Sequence, residues 1–276
     1  MVKEYFRPAG VEEALELLAV PGSLALAGGT FALAFDARAK PERIVDVALA
    51  VPRGIERRGG ALRIGAGARF QELIDSEAVP AVLKAAAASM ANRNARNRAT
   101  VGGNLGANKS CASLVPILLV LGASVEYRER GRPSAVVPLA EWLAAPKGLA
   151  LTLTAPLGSP AAGKPTPGEG LRAASLRASR TACDIATATA ACAFVLDAGR
   201  VAGLRVAVGG FGPHAALRLD IAALFEGKPL PTKAEIENAV LPLLIAIGDQ
   251  RGSAEYKRLR GAALVADTLH AAEVIT

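Results

Sequence analysis

Residues 158–170 read Gly-Ser-Pro-Ala-Ala-Gly-Lys-Pro-Thr-Pro-Gly-Glu-Gly. Pro160, Pro165 and Pro167 each lack a backbone donor and hold φ near −65°, so the stretch cannot run on as a helix or as an inner strand. It reads as a linker or long loop, and the hydrophobic pattern changes across it. A chain of 276 residues has room for one large domain or two to three smaller ones. The segment favours two, residues 1–160 and a separate C-terminal α+β domain over 161–276.

Composition narrows the class. Hydrophobic residues make up 51% but aromatics only 4%, and Gly and Pro number 28 and 17. That excludes a disordered, collagenous or disulfide-stapled chain and leaves a globular protein with many tight turns. Lys and Arg exceed Asp and Glu by 32 to 25. The basic residues fall in scattered groups (Arg57-Arg58, Arg93/Arg96/Arg98, Arg128/Arg130/Arg132, Lys257 to Arg260) without aromatic interleaving. Such groups read as solvated faces rather than a nucleic-acid surface. Cys111, Cys183 and Cys192 are odd in number and widely spaced, which suits free thiols in a reducing compartment. The N-terminus has no apolar core of a signal peptide. The uncharged run Ser110–Val125, which contains Pro116 and Gly122, falls short of the about 20 residues a membrane span needs. A cytoplasmic location is the expectation.

Along the chain, Val11, Ala14, Leu15 and Leu18 recur at helical spacing, and Ser23–Ala27 and Arg43–Val47 have strand length. Between those strands an apolar segment follows Thr30 as far as Phe35, where a helix is expected. Gly59-Gly60 marks a hairpin opening a strand in which Leu62, Ile64 and Ala66 alternate with Arg63 and Gly65. Helices are expected over Phe70–Ser76, Pro80–Met90 and Leu114–Leu121, a loop over Asn92–Arg98, and a strand over Ser124–Arg128. Beyond the linker, Thr187–Leu196 and Val201–Gly209 read as strands joined by a turn at Asp197–Arg200. Helices follow over Ile221–Phe225, Lys233–Ile247 and Ala254–His270.

The chemistry-bearing motifs are few. Gly65-Ala66-Gly67 lacks the third glycine of the dinucleotide fingerprint, and Gly158–Lys164 is followed by Pro165 where a P-loop needs Ser or Thr. With only His214 and His270, neither a histidine-based triad nor a zinc site is expected. Cysteine spacing offers no local framework for an iron–sulfur cluster. No residue is therefore assigned a catalytic or metal-binding role. Two glycine segments remain: Ala27-Gly28-Gly29-Thr30 after a strand, and Thr100-Val101-Gly102-Gly103-Asn104 after the basic loop. Each alone reads as a plain tight turn. Together, each with a threonine, they can form a split pyrophosphate site in which N–H groups, hydroxyls and the Asn104 amide wrap the anion.

These segments carry a resemblance. Ala27–Thr30 and Arg96-Asn97-Arg98-Ala99-Thr100-Val101-Gly102-Gly103-Asn104-Leu105 resemble the FAD-binding subunit of the molybdenum hydroxylases, the xanthine dehydrogenase and carbon monoxide dehydrogenase family. So do Ser179–Ala186, Val208–Pro213 and Asp249–Arg258 in the C-terminal part. The resemblance implies an α+β fold: a two-lobed FAD-binding domain of the PCMH type, with lobes of about 1–55 and 56–160, followed by a small α+β C-terminal flavoprotein domain. It implies FAD held by Ala27, Gly28, Gly29 and Thr30 on one side and Thr100, Gly102, Gly103 and Asn104 on the other. Arg180 and Asp184 join the cofactor site on the same ground, and Lys109, Arg177 or Arg180 would supply a cation to the reduced flavin, each being equally readable as a solvated side chain. The molybdenum cofactor and iron–sulfur clusters are expected on a large molybdopterin-binding subunit and a small iron–sulfur subunit. Electrons would pass from those clusters to FAD and on to NAD or another acceptor. Ser113 stands where many members carry an Asp near the isoalloxazine, and the Asn108-Lys109-Ser110-Cys111 stretch looks more like a bacterial purine-hydroxylase subgroup than carbon monoxide dehydrogenase. Cys111 reads as a packed thiol or as a neighbour of the flavin. The alternatives are a free-standing FAD-dependent oxidoreductase of the same fold and a flavin-free adaptor subunit.

Overall fold

A computed structural model describes residues 2–33, 41–158 and 170–274. The first elements are strand β1 (Glu4–Phe6), helix α1 (Val11–Leu18) and strands β2 (Ser23–Leu26) and β3 (Arg43–Asp46). They form a small parallel sheet of order β1-β3-β2. Its central strand buries Ile44 and Val45, and α1 buries Ala14 and Leu15 while Glu12 and Glu13 sit in its first turn, where the helix dipole favours anions.

A second, antiparallel sheet begins with the hairpin β4 (Ile55–Arg58) and β5 (Ala61–Gly65). Gly59 and Gly60 both have positive φ, 59° and 76°, the two-residue turn whose twist suits a hairpin. Then come α2 (Phe70–Asp75), α3 (Ala81–Ala88), α4 (Arg93–Arg96), α5 (Val101–Ala107) and α6 (Val115–Val120), then β6 (Ser124–Arg128), β7 (Ala135–Pro138), α7 (Leu139–Ala144) and β8 (Leu149–Pro156). The strand order β4-β5-β8-β6-β7 places β8 in the middle. Its alternation of buried Leu151, Leu153 and Ala155 with Thr152 and Thr154 is what a strand with one core face requires.

The C-terminal part holds β9 (Arg172–Ala178), β10 (Ala188–Asp197), β11 (Arg200–Gly209), β12 (Ala216–Leu217), α8 (Leu219–Phe225), α9 (Lys233–Val240) and α10 (Ala254–Val274). Its sheet is antiparallel, in the order β12-β11-β10-β9. The β10–β11 turn sets Ala198 and Gly199 at φ 47° and 75°. Residues 188–194 of β10 are all buried. Ala191, Ala193 and Ala207 join the core that contains all of α6, while Ala190, Cys192 and Phe194 join the core beneath α10. A strand covered on both faces reads as an unbroken apolar run, and its alanines let both layers approach closely. One hydrophobic core thus runs from the parallel sheet into the C-terminal sheet.

The structure departs from the sequence expectations at several points. Asn92–Arg98 is no simple loop: Asn92 caps α4 by accepting from the Ala95 N–H at 3.0 Å. The expected turn at Gly102-Gly103 is the first part of α5. The helix expected over Lys233–Ile247 gives way after Val240 to a 3-10 turn carrying Pro242, whose ring cannot sit inside an α-helix. Strands β1, β7, β8 and β9 escape a purely sequential reading. The helix expected after Thr30 is a turn as far as Leu33, whose N–H reaches the Gly29 carbonyl, and the rest of it, with most of the linker, lies outside the described residues.

Candidate functional site

At the end of β2 the chain turns sharply. Gly29 takes φ 70°, which a side chain resists. Gly28 is required for a different reason: a Cβ there would overlap the carbonyl of Arg98. The backbone of Gly28 therefore lies directly on residues 98–99, and Arg98 Nε donates to the Gly28 carbonyl at 3.3 Å. The two glycine segments read from the sequence are brought side by side.

The second segment is pinned from beneath. Arg69 and Thr100 form a bridge, and Phe70 N–H donates to the Ala99 carbonyl. Val101 N–H goes to the Ala68 carbonyl at 2.9 Å and Gly102 N–H to that of Ala66 at 2.7 Å. Thr100 is the N-cap of α5, its Oγ1 accepting from Gly103 N–H at 3.1 Å, while Asn104 N–H bonds the Thr100 carbonyl. A Cβ on Gly102 would meet the Ala66 Cβ at 2.8 Å, so this glycine serves close packing. Asn104 Oδ1 accepts from Leu114 N–H at 3.4 Å. The N–H groups of Val101, Gly102, Gly103 and Asn104 are thus spent inside the fold rather than presented to an anion. What the segment offers a ligand is the open face of Gly103, where a Cβ would meet only Thr100 Oγ1.

The first segment is the reverse. Among the described residues nothing accepts from the N–H groups of Gly28, Gly29 or Thr30. Successive free N–H groups around a left-handed residue form a concavity suited to anions. Lys109 stands over the ring of Phe31, its Nζ 4.3 Å from the centroid, so the segment after α5 also returns to this turn.

Arg180 and Asp184 are elsewhere in the hydrogen-bond pattern. They pair with each other at 3.3 Å, the arginine 81% exposed, and no described hydrogen bond or ion pair ties either to the glycine segments. Arg177 does not project a free cation: its guanidinium donates to the carbonyls of Thr181, Ala182 and Asp184 and holds that loop together. Ser113 lies half-buried in the loop before α6.

A further cluster locks the C-terminal part to the loop after α5. Asp249 accepts from Arg251 at 2.5 Å and Lys257 at 2.9 Å, and Lys257 is 1% exposed. The Arg251 hydrogen bond, reinforced by Lys257, holds the Asp249 carboxyl well below the usual carboxylate range. Arg251 also donates to the Ala186 carbonyl and lies against Cys111. Burial pushes the Cys111 thiol up despite that neighbour, and pushes Cys192 up to about 12. Both are packed thiols rather than nucleophiles. His214 Nδ1 and His270 Nε2 contact the carbonyls of Asn108 and Pro231. Among the described residues no group of His, Cys, Asp or Glu could hold a metal ion, and no helix is long and apolar enough to cross a membrane.

The site thus sets a turn whose N–H groups have no partner among the described residues against a helix capped by Thr100. Residues 1–154 match the family described as the FAD binding domain in molybdopterin dehydrogenase, and residues 174–272 the CO dehydrogenase flavoprotein C-terminal domain. The chain belongs to this family of FAD-binding subunits, and FAD is its cofactor. The Escherichia coli (strain K12) protein YgfM is 29% identical over 273 residues, covering 97% of this chain and 95% of its own. A carbon monoxide dehydrogenase from Hydrogenophaga pseudoflava that lacks the Mo-pyranopterin moiety superposes with TM-score 0.85 at 25% identity, over 99% of this chain and 98% of its own. Quinoline 2-oxidoreductase from Pseudomonas putida 86 shares the fold with TM-score 0.85 at 21% identity, over 99% and 98%.

The residues present fit FAD. The free N–H groups of Gly28–Thr30 suit a diphosphate, and the bare face of Gly103 lets a flat or charged group come close. Arg98, at this junction, was hidden in the sequence among solvated arginines. Phe31 was hidden because an exposed aromatic after a glycine turn has no distinctive spacing.

Proposed function

We propose that this chain is the FAD-carrying electron-transfer subunit of a heteromeric, xanthine dehydrogenase-like molybdenum hydroxylase, working in the cytoplasm. The reading is carried by the N–H groups of Gly28, Gly29 and Thr30, which have no partner among the described residues, on a turn that lies against Arg98 and Ala99 just before the Thr100–Asn104 segment. Residues 1–160 form the FAD-binding domain and 161–276 the C-terminal domain. A large molybdopterin-binding subunit and a small iron–sulfur subunit are the partners, with NAD or another acceptor downstream and a purine or other aromatic heterocycle as substrate of the assembly.

Bound FAD supplies the ability to take up electrons one at a time and release them in pairs. The chain's own residues bind and orient. Gly28–Thr30 and Gly103 receive the diphosphate, Thr100 and Asn104 hold the second segment in shape, and Lys109 lies beside the turn. Arg180 and Asp184, paired with each other in the C-terminal domain, complete the proposed site. No proton need move through a side chain, which agrees with two histidines whose ring nitrogens contact backbone carbonyls.

The test is purification of the chain alone and with its co-expressed partners. The chain should be yellow and release FAD on heating, and it should co-purify with two further subunits in a complex that reduces NAD with a purine. A colourless chain that refuses added FAD overturns the reading, and a flavin-loaded monomer that turns over a substrate by itself favours the free-standing oxidoreductase.

A further inference from the structure

Binding a diphosphate places two negative charges against the Gly28–Thr30 turn, and backbone N–H groups carry only partial charge. The neighbouring cations differ in what they have left to give. Arg96 is used up: its guanidinium donates to the carbonyls of Ala88, Met90 and Ala91 at the end of α3 and to Gln71. Arg53 is paired with Glu72. Arg98 and Lys109 are exposed, and among the described residues neither has a carboxylate within ion-pair distance. Both touch the same turn. Arg98 spends only Nε, on the Gly28 carbonyl, and its Nη2 lies 3.5 Å from where a Gly29 Cβ would stand. Its remaining N–H groups keep the fork geometry that suits a phosphate. Lys109 is held over the Phe31 ring on the other side of Thr30.

We propose that Arg98 and Lys109 are a two-cation clamp on the FAD diphosphate, and that they make this chain select a diphosphate-bearing flavin over an uncharged one. The inference rests on the FAD reading above and adds two residue roles to it. It moves Lys109 from the flavin ring to the phosphates. It also explains how the site neutralises its ligand although the N–H groups of the second glycine segment are committed to Ala66, Ala68 and Thr100.

The experiment is titration of the flavin-stripped full-length chain with FAD, ADP and riboflavin, at low and high salt, for the wild type, Arg98→Ala, Arg98→Lys, Lys109→Leu and the double variant. Arg98→Ala should lose about tenfold or more in affinity for FAD and for ADP, the weight of a charge-assisted hydrogen bond. Arg98→Lys should fall between it and the wild type. Lys109→Leu, which keeps the contact with Phe31, should lose a few-fold. The double variant should show a flatter salt dependence, and riboflavin binding should be the same in all, as should the thermal midpoint, because both side chains are exposed. Variants that bind FAD and ADP as the wild type does, with the same salt dependence, overturn the clamp and leave the FAD reading standing. A wild type that binds riboflavin as tightly as FAD also overturns the clamp alone. A wild type that takes up neither FAD nor ADP overturns both.

Discussion

Two segments of this chain carry the same signature, paired glycines next to a threonine, and the fold uses them in opposite ways. In Gly28-Gly29-Thr30 the glycines free the backbone: Gly29 adopts a left-handed φ, and among the described residues the N–H groups have no partners. In Thr100–Asn104 the glycines are helical and tighten the packing: Gly102 lets α5 settle on Ala66, and Thr100 caps the helix. One segment leaves its N–H groups open, on the proposed reading to a charged ligand, and the other packs into the fold beside it, joined where Gly28 lies on the Arg98 carbonyl. A glycine pair in sequence therefore marks a close approach without saying whether the partner is a ligand or the protein itself.

The junction gives the largest effect. Gly28→Ala puts a Cβ into backbone, which cannot rotate away, so the two segments must separate. The expected outcome is a loss of about 3 kcal/mol, the upper end for an overpacked site, with a thermal midpoint lower by about 5–10 °C and no retained FAD. A Gly28→Ala chain as stable as the wild type would show that the segments are not in contact, and the comparison would fail at its root. Gly102→Ala is the next in size. Alanine gains about 1 kcal/mol of helix propensity over glycine, but its Cβ meets Ala66 Cβ at 2.8 Å and the Ala66 carbonyl oxygen at 3.0 Å. Overpacking against a strand end costs about 1–3 kcal/mol, so the net should be about 1 kcal/mol of destabilisation in thermal unfolding.

How much of this was legible depends on where the information sits. Gly59-Gly60 and Asp197–Arg200 were readable as hairpin turns because positive φ at both central residues has a local sequence demand. Helices α2 and α3 were readable from spacing. Helix α5 was not, because two glycines argue against a helix locally and only the tertiary approach to Ala66 justifies them. Strand β8 is not legible locally although Leu151, Leu153 and Ala155 alternate with threonines, because it runs into the glycine- and proline-rich linker and β5, one of the two strands it pairs with, lies far off in sequence. At the site, the glycine segments were visible and their pairing was expected, but the ownership of their N–H groups was not: Ala66 and Ala68 are ordinary alanines whose carbonyls acquire a role only in the fold. Arg96 and Arg98 stand two residues apart in one basic group, yet one closes α3 and the other borders the turn.

The smallest stability effect is the sharpest probe of the second segment. In Gly103→Ala the helix-propensity gain of about 1 kcal/mol is set against disturbance of the Thr100 cap, since the new Cβ would lie 2.9 Å from Oγ1 and nothing else is within reach. A cap is worth about 1 kcal/mol, so the two offset and the thermal midpoint should barely move. FAD affinity behaves differently. Gly103 is exposed, and a ligand lying across both segments must retreat from the new methyl group, which should weaken FAD severalfold while leaving the fold intact. Unchanged FAD affinity in this variant would confine the ligand to the first segment, and the second would then be scaffold alone. Flavin titration beside thermal unfolding on the one variant separates these outcomes, because only contact with the ligand can lower the first without lowering the second.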